Sequence, residues 1–152
     1  MKYITSISCA LLATFHLAAA VPALQAASAG EQTSVSYDTV YDVQTSSLNI
    51  VACSSSLERK GFTTFGSLPN FPLIGGAPTI ANGRSPNCGK CYQLSYQDGD
   101  VNETINVIAI DVAVNAFNIG LDAMNRLTNN QAEQLGRVTA TYTLVADSEC
   151  GL

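Results

Sequence analysis

Residues 35–41 read V-S-Y-D-T-V-Y: apolar and polar positions alternate with period two, on β-branched and aromatic residues. That pattern predicts a strand. Tyr92 to Tyr96 (Y-Q-L-S-Y) alternates in the same way, and Asp98-Gly99 after it predicts a turn. From Ile105 to Asp111 the chain is apolar on both faces after Asn106, the signature of a central strand. Val138 to Leu144 puts Val138, Ala140, Tyr142 and Leu144 on one face and threonines on the other.

Helical periodicity is scarcer. Leu121, Met124 and Leu127 fall on one face of a short helix, with Asn129 and Asn130 to end it. Asn130-Gln131-Ala132-Glu133 has the form of a capping box opening a second short helix towards Leu135, and Gly136 stops it. Between Gly61 and Gly83, Pro69, Pro72, Gly75, Gly76 and Pro78 rule out long regular elements and predict loop. Short strands with two small helices predict a small, mainly β mixed barrel.

The first residues change what counts as the mature protein. Lys2 is the only charge before Glu31, Ile7 to Val21 is apolar, and Ala18-Ala19-Ala20 offers small residues for cleavage. A basic start, an apolar core and a small-residue site predict a signal peptide over residues 1–20, hence export. The apolar run is shorter than the roughly 20 residues a membrane span needs. A flexible leader over residues 21–34 and one barrel domain over 35–152 complete the division.

Cleavage would remove Lys2, Cys9 and His16, the only histidine. Six basic residues then face twelve acidic ones, with no basic patch, which argues against nucleic acid and anionic membranes as partners. Charged residues are 12% of the chain, so Ser, Thr, Asn and Gln do most of the solvating.

Four cysteines remain: Cys53, Cys88, Cys91 and Cys150. The Cys88-Gly89-Lys90-Cys91 spacing could serve redox chemistry or zinc. A redox pair needs a helix N-terminus, however, and a strand follows Cys91. Zinc needs further paired ligands that are missing. Two disulfides in an oxidising compartment are the simplest reading, and sequence allows three connectivities. Cys53–Cys88 with Cys91–Cys150 is preferred, because each bridge then closes a long loop.

Without histidine, acid–base chemistry falls to carboxylates. Asp111, at the end of the apolar strand, is the best single candidate; the competing reading is a carboxylate capping a neighbouring loop. Tyr37, Tyr41, Tyr92 and Tyr96 are candidates for a shallow sugar platform, against the plainer expectation that they pack in the sheet. Asn102-Glu103-Thr104 is an N-glycosylation acceptor motif. Nothing calls for a metal or cofactor.

Several stretches together resemble the cerato-platanin family. They include Val35-Ser36-Tyr37-Asp38, Val51-Ala52-Cys53-Ser54, residues 60–72 (K-G-F-T-T-F-G-S-L-P-N-F-P), Ile74-Gly75-Gly76-Ala77-Pro78, Cys88-Gly89-Lys90-Cys91, residues 105–111, Phe117-Asn118-Ile119, Leu135-Gly136-Arg137-Val138 and the terminal Cys150-Gly151-Leu152. The resemblance implies a six-stranded double-psi β-barrel stapled by Cys53–Cys88 and Cys91–Cys150, in a secreted fungal protein. It implies binding of chitin or β-glucan oligosaccharides without hydrolysis, expansin-like loosening of cell-wall material, and elicitation of plant defences through a surface receptor. Asp111 and Asn118, with Tyr37 and Tyr92, are the carbohydrate-binding candidates. Where the family reads A-I-D-H-A-G-D-G-F-N, this chain has Val112, Val114, Asn115 and Ala116, a bulkier and less acidic loop. Two alternatives stand beside this reading: a weak glycoside hydrolase using Asp111, and a surface-active protein that self-assembles at interfaces.

Overall fold

A computed structural model describes residues 30–152; the span read as a signal peptide and most of the span read as a leader lie outside them. Six strands form one closed barrel: β1 Glu31–Tyr37, β2 Ile74–Ala77, β3 Cys91–Asp98, β4 Val101–Val112, β5 Ala116–Ile119 and β6 Arg137–Leu144. Their order around the barrel is β1-β5-β2-β4-β3-β6, closing back on β1. Two pairs are parallel, β1 with β5 and β2 with β4, and the other four are antiparallel. This is the mixed barrel the strand pattern predicts, with the six strands that the family resemblance implies. Three short helices flank it: α1 Ser54–Glu58, α2 Leu121–Leu127 and α3 Ala132–Leu135.

The period-two segments fold as strands because alternation lets one face fill the barrel. Val35, Leu94, Val107, Phe117, Ile119 and Val138 are buried. Tyr92, Phe117 and Tyr142 stack as a cluster with centroids 5.2 to 6.1 Å apart. Outward positions on the same strands are mostly amides and hydroxyls. Gln32 and Ser34 of β1 adjoin Thr141 and Thr139 of β6, and Thr141 in turn adjoins Ser95 of β3 and then Thr104 of β4.

Several local readings needed correction. The first strand starts at Glu31, inside the span read as leader, and stops at Tyr37 rather than running to Tyr41. Asp38 ends it: its carboxylate accepts a hydrogen bond from the Val40 N–H at 3.0 Å and starts a 3₁₀ turn, Thr39–Asp42, which swings Tyr41 inward. The glycine-rich stretch read as loop contains β2, whose four residues are all buried. A Cβ at Gly75 would lie 2.4 Å from the Asn118 carbonyl oxygen, so this glycine is set by the closeness of β5. Strand β5 and helix α1 had no periodicity long enough to register. Asn130 does not cap α3: it sits at φ +64°, and Asn125 Oδ1 instead accepts from the Ala132 N–H at 3.2 Å. Gly136 does end α3, at φ +63°.

The preferred disulfides are present. Cys53–Cys88 and Cys91–Cys150 have Cα separations of 5.2 and 5.8 Å and span 35 and 59 residues. Loops of that length correspond to roughly 4 kcal/mol each in the chain-entropy model. Both bridges land beside the start of β3, so α1 on one side and the C-terminal turn on the other are pinned to the barrel wall.

Candidate functional site

The site is a row of outward positions that runs across five strands. In β4, Val107 and Ala109 are buried, and strict alternation would send Asp111 inward after them. The register shifts instead: Gly75 pairs with Ala109, but Gly76 pairs with Asp111. The extra residue, Ile110, makes a bulge, and Asp111 emerges on the same face as Gly76. Gly76 also pairs with Asn118, Asn118 with Ser36, and Ser36 with Arg137. Asp111 and Asn118 are thus two strand spacings apart, roughly 10 Å.

The 112–115 turn crosses over β2 at this point. A Cβ on Gly76 would lie 3.0 Å from the Ala113 Cβ and 3.1 Å from the Val112 oxygen, so glycine is what lets the turn lie flat. Asn115 takes φ +55°, which asparagine tolerates far better than a branched residue. Val112 and Val114 project from the turn, Val114 with 81% of its surface exposed.

Asp111 is heavily engaged. Its Oδ1 accepts from the Ala52 N–H at 2.9 Å and from the Val112 N–H at 2.8 Å. The Tyr41 hydroxyl donates to its Oδ2 at 3.3 Å. The carboxylate therefore clamps the end of β4 to the segment before α1. Tyr41 is buried, and burial pushes its hydroxyl pKa well above the usual tyrosine range; the charges of Asp111 and Asp38 add to the effect.

The other carboxylates nearby are also acceptors for backbone. The N–H groups of Leu121 and Asp122 donate to Asp42 at 2.7 and 3.0 Å, so Asp42 caps α2 from a distance of 79 residues along the chain. Pattern reading missed this cap, because its partner is far away in sequence. No group of three His, Cys, Asp or Glu residues is arranged to hold a metal ion among the described residues.

Asn118 is differently placed. Its Oδ1 accepts from the Ser36 hydroxyl at 3.0 Å. Its Nδ2 has no partner among the described residues and is not a buried unsatisfied atom, so it faces solvent as a donor. Tyr37, half-buried at the end of β1, pairs with buried Ile119 and packs against the core, so alternation puts it on the face opposite Ser36 and Asn118 and outside the row. Ser36 and Arg137, which complete the row, were not singled out by sequence; the alternation of β1 and β6 was the available signal.

The four-tyrosine platform does not form. Tyr92 is 2% exposed with its ring among Phe117 and Tyr142, and its hydroxyl pairs with that of Thr79 at 2.7 Å. Tyr41 and Tyr96 are buried as well. Tyr92 lines a cleft of about 390 Å³ together with Glu31, Thr79, Asn87 and Tyr142, and Tyr96 lines one of about 230 Å³. The hydrogen bond that Tyr142 donates to Glu31, with burial and the Glu31 charge behind it, pushes the Tyr142 pKa up to about 12. Asn102 is exposed at the start of β4, away from the row.

Comparisons with known proteins bear on the family and the fold. The family model described as Cerato-platanin matches residues 33–152. The chain is 47% identical to the protein named Allergen Asp f 15 of Aspergillus fumigatus, over 99% of this chain and 97% of that one. The crystal structure of cerato-platanin 2 from M. perniciosa superposes with a TM-score of 0.75 at 41% identity, covering 80% of this chain and 99% of the other. The solution structure of the fungal elicitor Cerato-Platanin gives a TM-score of 0.68 at 32% identity, over 78% of this chain and 96% of that one.

Proposed function

This chain belongs to the cerato-platanin family, and on that premise we propose that it is a secreted, non-catalytic protein. It engages chitin or β-glucan oligosaccharides across the Asn118–Asp111 row and is perceived by a host as an elicitor or allergen. The observation that carries the reading is the division of labour in the row. Asp111 is tied up by three donors, while Asn118 Nδ2 is free on a rigid strand. A carboxylate in that state is a poor nucleophile or proton donor, and glycoside hydrolysis needs two carboxyls free to act across one sugar bond. Free donors on a shallow face, the Asn118 amide and the exposed Arg137 guanidinium, suit weak sugar binding. They also suit expansin-like loosening, in which protein groups replace hydrogen bonds between polysaccharide chains at little net cost each. The relatives' names, an allergen and an elicitor, support perception by a host, and a plant surface receptor is the partner of that activity.

The test is an NMR titration with chitin and β-glucan oligomers. Shifts should cluster at Ser36, Asn118 and Arg137. Asn118→Ala should weaken binding about five- to tenfold, the loss of one net hydrogen bond. New reducing ends in the same samples would favour the hydrolase, and an absence of shifts would end the carbohydrate reading. Exposed Ile50, Val114 and Leu144 favour a second activity, self-assembly at interfaces. Film formation lost in Val114→Ser with sugar shifts intact would separate the two.

A further inference from the structure

The side of the barrel opposite in order to the β2–β5 pair carries a second polar surface, unlike the Asp111 row. Asn102 of β4 pairs with Gln97 of β3, and one step further Thr104 pairs with Ser95, Ser95 with Thr141, and Thr141 with Gln32. Between these rows lies a cleft of about 230 Å³, lined by the polar residues Gln32, Ser95, Gln97, Asn102, Thr139 and Thr141. None of them carries a charge, and all present amides or hydroxyls. Such a surface can be covered by neutral hydroxylated matter without desolvating an ion. At one end of it stands Asn102, exposed, in the motif Asn102-Glu103-Thr104.

We propose that Asn102 carries an N-linked glycan and that the first two sugars of that glycan lie in this cleft. The two disulfides place the chain in an oxidising, secretory route, where the donor is found. The donor is an oligosaccharide on a polyprenyl diphosphate. The Asn102 amide nitrogen forms a bond to the anomeric carbon, the bond from that carbon to the phosphate oxygen breaks, the amide gives up one proton, and the lipid diphosphate leaves. In the folded chain the Thr104 hydroxyl is shared with Ser95 at 2.9 Å, so transfer precedes the pairing of β3 with β4. Strands are roughly 4.8 Å apart, about the advance of one sugar, so a disaccharide leaving Asn102 across β3 spans from Gln97 to Thr139. Its N-acetyl and hydroxyl groups then meet amides and hydroxyls, and the Thr139 and Thr141 methyls meet its apolar faces. The occupied cleft is closed to exogenous polysaccharide, which leaves the Asn118 face as the open one.

The test uses the full chain secreted from a yeast. Intact mass should exceed the polypeptide by a glycan that peptide N-glycosidase removes and that Asn102→Gln lacks. An endoglycosidase that cuts between the two core sugars should trim the native protein about tenfold more slowly than the denatured one, the factor expected from two net hydrogen bonds. Gln97→Lys with Thr139→Lys should abolish that difference. Should the double variant fail to fold, the side-chain amide signals of Gln32 and Gln97 in the wild type should shift on deglycosylation. A polypeptide of unmodified mass overturns the proposal. Equal trimming rates, or Gln32 and Gln97 signals that do not move, overturn the seating.

Discussion

Replacing Asp111 with alanine asks whether that carboxylate holds the protein together or holds a sugar. Three donors lose their acceptor: the N–H groups of Ala52 and Val112 and the hydroxyl of Tyr41. Val112 is exposed, and water takes over its N–H at little cost. The Ala52 N–H is half-buried and Tyr41 is 5% exposed, so both become orphans. An unsatisfied buried donor costs about 1–3 kcal/mol, which puts Asp111→Ala at roughly 2–5 kcal/mol. Asp111→Asn keeps one oxygen for the two N–H groups and turns an N–H towards the Tyr41 oxygen. It loses only the charge assistance, about 1–2 kcal/mol. Urea or guanidinium unfolding at constant m-value reads both numbers, and the oligosaccharide titration runs on the same samples. The expected result is a graded loss of stability, with sugar shifts at Asn118 retained in Asp111→Asn. If Asp111→Ala unfolds within about 0.5 kcal/mol of wild type, the range of an ordinary surface substitution, while sugar shifts vanish, the clamp is wrong and Asp111 is a ligand contact.

Other outcomes follow from the same geometry. Gly75→Ala should destabilise by about 1–3 kcal/mol or more through overpacking against the β5 backbone, whereas Gly99→Ala, with open space but φ +53°, should cost nearer 1 kcal/mol; unfolding midpoints compare them. Removing Cys53–Cys88 by a double alanine substitution should cost about 4 kcal/mol, measured by the same unfolding curves. Tyr41 and Tyr142 have folded pKa values above the roughly 10 of an unfolded tyrosine, so their contribution is complete below pH 10. It falls as pH rises from there towards the folded values, because the unfolded chain loses protons first. Tyr142→Phe should flatten that alkaline slope in a pH series of unfolding free energies.

Strands whose inner and outer faces differ were legible in the sequence, since Val35, Leu94 and Val138 betray them by alternation alone. Strand β2 was not, because Ile74-Gly75-Gly76-Ala77 is buried between two neighbours and needs small residues where a pattern search needs large ones. The pairing of cysteines was legible because a Cys88–Cys91 bridge would constrain almost nothing and the family resemblance implied the pairing that is present. Asp111 was found from its place after an apolar strand, but the bulge that turns it outward is a property of pairing with β2 and has no local signal. Tyr92 misled for the opposite reason: an aromatic residue on a strand reads the same whether its face looks in or out until the partner strands are known. Asp42 was passed over because the helix it caps lies 79 residues away.

The placement of the two bridges has a consequence for what a protease can release from the chain. Any peptide bond cut between Cys53 and Cys88, or between Cys91 and Cys150, leaves both pieces tethered through sulfur. From Cys53 to Cys150 only the short link through Gly89 and Lys90 escapes that insurance. There the Gly89 N–H donates to the Ala109 carbonyl at 2.8 Å, and the Ala109 N–H returns a bond to the Lys90 carbonyl at 2.9 Å. The one bond run whose scission would release a fragment is stitched to the middle of β4, out of an extended backbone that a protease cleft could grip.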